Sequence, residues 1–472
     1  MTLVSNSKRT LPWIDNIAYS MGNFGSNLVF GMITFYMMYF YTDVMGISAA
    51  AAGTLFLVAR FWDAINDPIM GSIVDKTHTK MGKFRPFIII GIVPCAILYI
   101  LTFTTPDLSS TGKVIWAFAT YIPLGMVVTF INIPYHAQTT IMSDKSIERA
   151  EVGAVSTIAG LLATLVVVAV TLPLLKNFST PQKGFVGVTT IFGVGMIVCY
   201  LIAFVRTKKY DLPVSKDNLG KTAANRFTFK EKTHVLTKNR PLMALMFSYL
   251  FFQIGTSIMA GASIYFFKYY LNMSAFYPVF MGVYLAIMAG GMLFVPALTR
   301  FMGKKNLFQF SNVISGVFLL ITFIMCLQMT RAETAASFQY GALFYIVLLS
   351  AFFTGQVNAL VWGMIPDTVE YAELKVGIRS EGLVFALLSF MMKAGLAIAG
   401  ALSGAVFTYI KYVPNQTQTE STLFGMLVLF ILIPLFTRVL TAICMFFYNL
   451  SENQFAEIVA QLKAQKEKET IF

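Results

Sequence analysis

The sequence predicts an all-α membrane protein of twelve transmembrane helices in two six-helix bundles, and three observations predict it. Hydrophobic residues make up 57% of the 472 and charged residues 12%, about half the charged share of a soluble globular chain. Such a composition cannot supply a polar surface on all sides, whereas lipid favours an apolar exterior. Runs with few or no charges, each of roughly 20 residues or more, recur along the chain. Lys and Arg gather on alternate connecting segments, as expected of a chain that crosses a bilayer repeatedly.

In order, the first set of runs is 16–42, 46–74, 87–105, 114–143, 152–175 and 184–205. The second is 241–267, 269–299, 306–330, 334–366, 382–410 and 422–450. They are too long and too uniformly apolar for barrel strands, and in lipid a helix satisfies its own backbone. With both termini placed on the cytoplasmic side, the inner loops collect Lys76, Lys80, Lys83, Arg85, Lys145, Arg149, Arg300, Lys304, Lys305, Lys375 and Arg379. The outer loops keep Lys113, Lys176, Lys183, Lys268, Arg331 and Lys411. The net charge of +13 is therefore a topology signal and not a nucleic-acid footprint. The expected organisation is a first bundle over 1–205, a basic cytoplasmic linker over 206–240, a second bundle over 241–450 and a cytoplasmic tail over 451–472. Met81-Gly82-Lys83 after the second run echoes Met302-Gly303-Lys304 after the eighth, which favours two repeats.

Several chemistries are disfavoured. The N-terminus lacks the charged, apolar, small-residue pattern of a cleaved leader. Cys95, Cys199, Cys326 and Cys444 lie far apart inside the runs and read as small packing residues. His78, His136 and His234 show no ligand spacing. No Gly-rich phosphate loop is present, so the chain does not read as an ATP-driven pump, as an enzyme, or as a holder of a resident cofactor. Nothing in it calls for an obligatory protein partner.

Polar chemistry concentrates in the second run, where Arg60, Asp63, Asn66, Asp67 and Pro68 follow one another. Steps of three and four place the three charged side chains on one helical face. A single charge in mid-membrane costs roughly 3 kcal/mol on insertion scales, and Arg60 can neutralise one acid of the two. The second carboxylate is a candidate seat for a monovalent cation, with Asp63 and Asp67 the Na⁺ candidates and a proton the alternative. The competing reading is a buried ion-pair network that locks helices. Lys393 lies more than ten residues inside its run, where snorkelling is awkward. Arg438, nearer the end of its run, reads as a snorkelling side chain. Thr129, Asn132, Tyr135 and His136 in the fourth run, Asn27 in the first, and Gln356, Asn358 and Trp362 in the tenth could form a polar interior.

These residues carry a resemblance. Tyr41-Thr42-Asp43, Gly53 to Arg60, Trp62 to Pro68, Gly82-Lys83-Phe84-Arg85-Pro86, Asn132-Ile133-Pro134-Tyr135, Asp367 to Tyr371 with Glu373, and Lys393 resemble the glycoside–pentoside–hexuronide:cation symporter family. Melibiose permease-like transporters of the major facilitator fold belong to it, and the resemblance spans nearly the whole chain. It implies sugar import in symport with Na⁺ or H⁺ across a bacterial inner membrane. It implies a cation site at Asp63, Asn66, Asp67 and Thr129, and a sugar site including Asn27, Arg60, Asn132, His136, Trp362 and Lys393. It also implies an inner gate in which Asp367, Glu370 and Glu373 face basic residues such as Arg85.

The chain departs from the melibiose permease-like pattern where substrate is read. Asn27 and Asn132 replace acidic residues, Ser26 replaces a lysine, and Ser156 replaces an arginine. Losing two negative charges leaves Arg60, Lys393 and His136 less opposed, which suits an anionic sugar such as a hexuronide or sulfonated sugar. A lysolipid or drug transporter of the same fold is the competing class.

Overall fold

The computed structural model describes residues 11–77, 79–143, 146–211, 238–331, 337–377 and 381–471. The chain divides into two compact units, Met1–Ala223 and Ala224–Phe472. Most of the expected linker, 212–237, lies outside the described residues, as does His78.

In the first unit α1 (Trp13–Tyr39) runs into a π turn at Phe40–Met45. Then come α2 (Ala49–Lys76), α3 (Arg85–Thr102), α4 (Ser110–Ala137), the single turn α5 (Thr139–Met142), α6 (Ser146–Leu175) and α7 (Pro181–Arg206). Local chemistry starts them where expected. The side chains of Ser48, Ser109 and Thr180 accept from backbone N–H groups three residues on, replacing bonds the first turn cannot make. Pro181 opens α7, where its missing donor costs nothing.

The second unit holds α8 (Arg240–Tyr265), α9 (Tyr277–Leu293), α10 (Val295–Met302), α11 (Lys304–Arg331), α12 (Ser337–Val376), α13 (Glu381–Tyr409), α14 (Glu420–Leu427), α15 (Ile433–Phe446) and α16 (Glu452–Ile471). Helix packing repeats between the units. In the first, α1 packs on α6 and α7, α3 on α4 and α7, and α2 on α4. In the second, α8 packs on α13 and α15, α11 on α12 and α15, and α9 on α12.

Among the described residues ten helices are long and apolar enough to cross a membrane, and eleven if α9 and α10 form one span bent by 47°. The sequence reading expects twelve, with 269–299 as one rod. The break falls at Phe294, where Pro296 opens α10 and cannot donate back into the turn before it. Helix α2 is long enough at 28 residues, but Arg60, Asp63 and Asp67 lower its apolarity.

Around an apolar interior, large hydrophobic side chains also cover the outside, unlike those of a water-soluble protein. Asn16, Thr171, Ser248, Asn312, Ser315 and Thr441 are buried, while Phe61, Ile90, Ile115, Leu293 and Phe301 are exposed. Side-chain hydrogen bonds between small hydroxyls join neighbouring helices, as between Ser315 of α11 and Ser350 and Thr354 of α12 at 3.0 and 3.1 Å. In lipid such bonds add to van der Waals packing as the cohesive force between helices.

Arg438 corrects the sequence reading. It does not snorkel: at 6% exposure it is buried in α15, donating to Thr354 Oγ1 at 2.9 Å with Phe252 stacked 4.5 Å from its guanidinium. We expect Arg438→Ala to destabilise the second unit by about 2–4 kcal/mol, through a lost charge-assisted bond and an unfilled space. Thermal unfolding in detergent measures this.

Candidate functional site

Helices α2 and α4 set the site by their register. Arg60 Nη2 donates to the hydroxyl of Tyr121 at 2.9 Å. Asp63 Oδ1 lies 3.2 Å from where a Cβ on Gly125 would stand. Thr129 Oγ1 donates to Asp67 Oδ1 at 3.2 Å. Positions 121, 125 and 129 of α4 thus meet 60, 63 and 67 of α2, turn against turn. Residues three or four apart on a helix share a face, so one stripe of α4 covers the whole charged face of α2.

Within that stripe Arg60 Nη1 holds Asp63 Oδ2 at 2.6 Å, and Asp63 is 4% exposed. One positive and two negative charges leave the group at −1. Asn66 is buried in the same turn, and its amide nitrogen has no hydrogen-bond partner among the described residues; turned about its last torsion, that amide offers an oxygen instead. Carboxylate, hydroxyl and amide oxygens are the donors a hard cation takes. The structure brings Arg60, Asp63, Asn66, Asp67 and Thr129 together.

The expected sugar residues are distributed more widely. Asn132 lies one turn beyond Thr129 on α4, its Oδ1 accepting from Tyr200 at 2.7 Å and Ser26 at 3.2 Å. These three border a cavity with room for about one water. The Asn132 oxygen is thus committed to the bundle. Asn27 on α1 donates to the Asn23 backbone and side chain at 2.8 and 3.1 Å, and Asn23 in turn donates to the Ser156 carbonyl at 2.7 Å. His136 is exposed at the end of α4, its ring 5.2 Å from that of Tyr135. Trp362 on α12 is 49% exposed, and Lys393 on α13 is half-buried.

Two of the expected gate residues, Arg85 and Asp367, have partners inside their own units. Arg85 donates through Nε to the Phe204 carbonyl at 3.1 Å and stacks on the Phe204 ring at 4.0 Å. Asp367 is buried and accepts from Lys304 Nζ through both oxygens, at 2.8 and 2.7 Å. Glu370 and Glu373 lie half-buried on the following turns of α12.

A profile of the family described as MFS/sugar transport protein matches residues 18–452. The chain belongs to this family. Membership makes the protein a transporter rather than an enzyme, and assigns its helices to the major facilitator fold. It is 30% identical to the isoprimeverose transporter of Lactiplantibacillus pentosus, with 94% of this chain and 90% of that one aligned. It is also 30% identical to the glucuronide carrier protein homolog of Escherichia coli strain K12, over 97% and 96% of the two chains. The crystal structure of the nucleoside transporter NupG superposes with a TM-score of 0.60 over 92% of this chain and 99% of that one, at 16% identity. That likeness is one of fold.

Within this family member, sequence reasoning missed Tyr121, Gly125, Asn23 and Tyr200, and named Lys304 without its partner Asp367. A signal existed for the first two: Tyr121, Gly125 and Thr129 recur every fourth residue in an otherwise apolar run. Tyr200 and Asn23 carried none, because their partners lie on other helices.

Proposed function

We propose that the protein imports a sugar or glycoside in symport with Na⁺ or H⁺ across a bacterial cytoplasmic membrane, with both termini inside. The observation that carries this reading is the register of α2 on α4, which stacks two acids one turn apart beside Thr129 and Asn66. In a spanning segment such a group is costly unless a cation visits it. Family membership supports a sugar as the second ligand. The cation neutralises the acid pair, the neighbouring sugar site becomes ordered, and the loaded site is exposed to the other side of the membrane. Each ligand then raises affinity for the other by the same factor. Uptake into proteoliposomes tests this, with labelled glycosides supplied with and without an inward Na⁺ gradient and, separately, with and without an inward proton gradient. Stimulation by one of the two gradients is the expected result; accumulation indifferent to both sinks the reading.

The sugar we propose is anionic, a hexuronide or sulfonated sugar. Asn27 and Asn132 give the region neutral amides where the melibiose permease-like pattern has acids, and a relative is named for a glucuronide. Adding a carboxylate tests the point. Asn132→Asp should lower uptake of a glucuronide by about tenfold relative to a neutral glycoside, equivalent to 1.4 kcal/mol of repulsion. Competition between the two sugars measures the ratio, and a ratio that does not move counts against an anionic substrate.

A further inference from the structure

We propose that Asp211 and Glu452 are a matched pair of clasps, one in each unit, that position the basic residues Arg85 and Lys304 at the starts of α3 and α11 during transport. Helices α3 and α11 both begin after a glycine turn, and in each the first backbone N–H groups find an acceptor far along the chain. In the first unit the Asp211 carboxylate accepts from the backbone N–H groups of Lys83, Phe84 and Arg85 at 2.7, 2.8 and 2.8 Å. In the second, Glu452 Oε1 accepts from the Lys304 N–H at 2.9 Å. Each acid follows the last spanning helix of its unit: Asp211 comes five residues after Arg206, and Glu452 six after Phe446.

The match goes further than the acids. Gly82 and Gly303 both have positive φ, at 100° and 73°, a conformation that favours glycine. Both are also needed for space: a Cβ at Gly82 would collide with the Asp211 carboxyl, and one at Gly303 would stand 3.0 Å from Glu452 Cγ. In both units a basic side chain near the turn lies over an aromatic ring, in the first unit one from the last turns of α7 and in the second one from α16. Arg85 stacks on Phe204 at 4.0 Å, and Lys304 Nζ sits 5.2 Å from the Phe455 ring. Each exit segment is itself anchored. Asp15 of α1 pairs with Arg206 and Lys209 and accepts from Tyr210 at 2.7 Å, while Phe455, Ile458 and Leu462 of α16 pack into the core of the second unit.

A local Ser or Asp before the helix would satisfy the same orphan donors. Taking the acceptor from 126 and 148 residues away adds something a local cap does not give. It ties the helix start that bears Arg85 or Lys304 to the chain that leaves the bundle. The start of the linker and the start of the tail thereby become parts of the transport machinery.

The test compares Asp211→Asn and Glu452→Gln with the charge-retaining Asp211→Glu and Glu452→Asp, in the full chain in proteoliposomes. We expect each neutral variant to lower the Vmax of gradient-driven uptake by about tenfold, the size of one lost charge-assisted bond. Equilibrium sugar affinity should stay within about twofold, since no sugar-site residue is touched. The charge-retaining variants should recover most of the rate. Three results overturn the proposal: parental Vmax per folded molecule in either neutral variant, sugar affinity lost together with rate, or failure of a neutral variant to accumulate folded in the membrane. The last would make the acids elements of the fold alone.

Discussion

Replacing Asp67 by Cys abolishes stimulation of sugar uptake by a cation gradient while sugar exchange across the membrane survives. The charge arithmetic is direct. Arg60 with Asp63 and Asp67 sums to −1, and without Asp67 the remaining Arg60–Asp63 pair is neutral and keeps its 2.6 Å contact. A neutral pair offers a cation no net attraction. Asp63→Cys is a poorer test because it strips Arg60 of that contact, and an orphaned buried charge costs about 3–5 kcal/mol. The readout is the ratio of uptake with and without the gradient. Coupling of two ligands is worth about 5–150-fold in affinity, and in the Asp67 variant that ratio should fall to about one. Thr129→Val, which removes a hydroxyl but no charge, should weaken cation affinity by about tenfold and leave coupling in place. If a gradient still drives accumulation in Asp67→Cys, the cation is seated elsewhere.

The charged face of α2 was legible in the sequence because it is a local property: positions 60, 63 and 67 share a face on any helix. What covers that face was not legible. That Tyr121, Gly125 and Thr129 lie along it depends on which helix neighbours α2, and no spacing within either run records that. Arg438 fails for a related reason. Its distance from the end of its run is visible in sequence, but the side of α15 it occupies is set by Phe252 and Thr354 on other helices. The break between α9 and α10 is a different case. Pro296 stood in the sequence as a signal, but the run 269–299 was continuous enough in apolarity to hide it. The echo of Met81-Gly82-Lys83 in Met302-Gly303-Lys304 pointed to paired turns, yet the acids that close them lie far along the chain.

Gly355→Ala should lower the thermal midpoint by about 5–10 °C, the largest effect expected of any single methyl group in the second unit. Helices α9 and α12 cross with backbone against backbone. A Cβ on Gly355 would strike the carbonyl oxygen of Met288, and one on Gly291 would strike the carbonyl oxygen of Phe352. These contacts are reciprocal across one crossing. In lipid, small residues that let backbones approach are a main source of cohesion between helices. A flexible side chain could swing away from an added methyl, but a carbonyl fixed in a helix cannot, so the helices must separate and every contact along the crossing weakens. Gly363→Ala provides the control on the same helix, because nothing stands within 4 Å of its Cβ position. There the gain in helix propensity, about 1 kcal/mol, should leave the midpoint unchanged or raise it. Gly291→Ala with Gly355→Ala should cost less than the sum of the two, since the first methyl already parts the helices that the second would meet. Equal midpoints for Gly355→Ala and Gly363→Ala would show that α9 and α12 do not cross at these glycines.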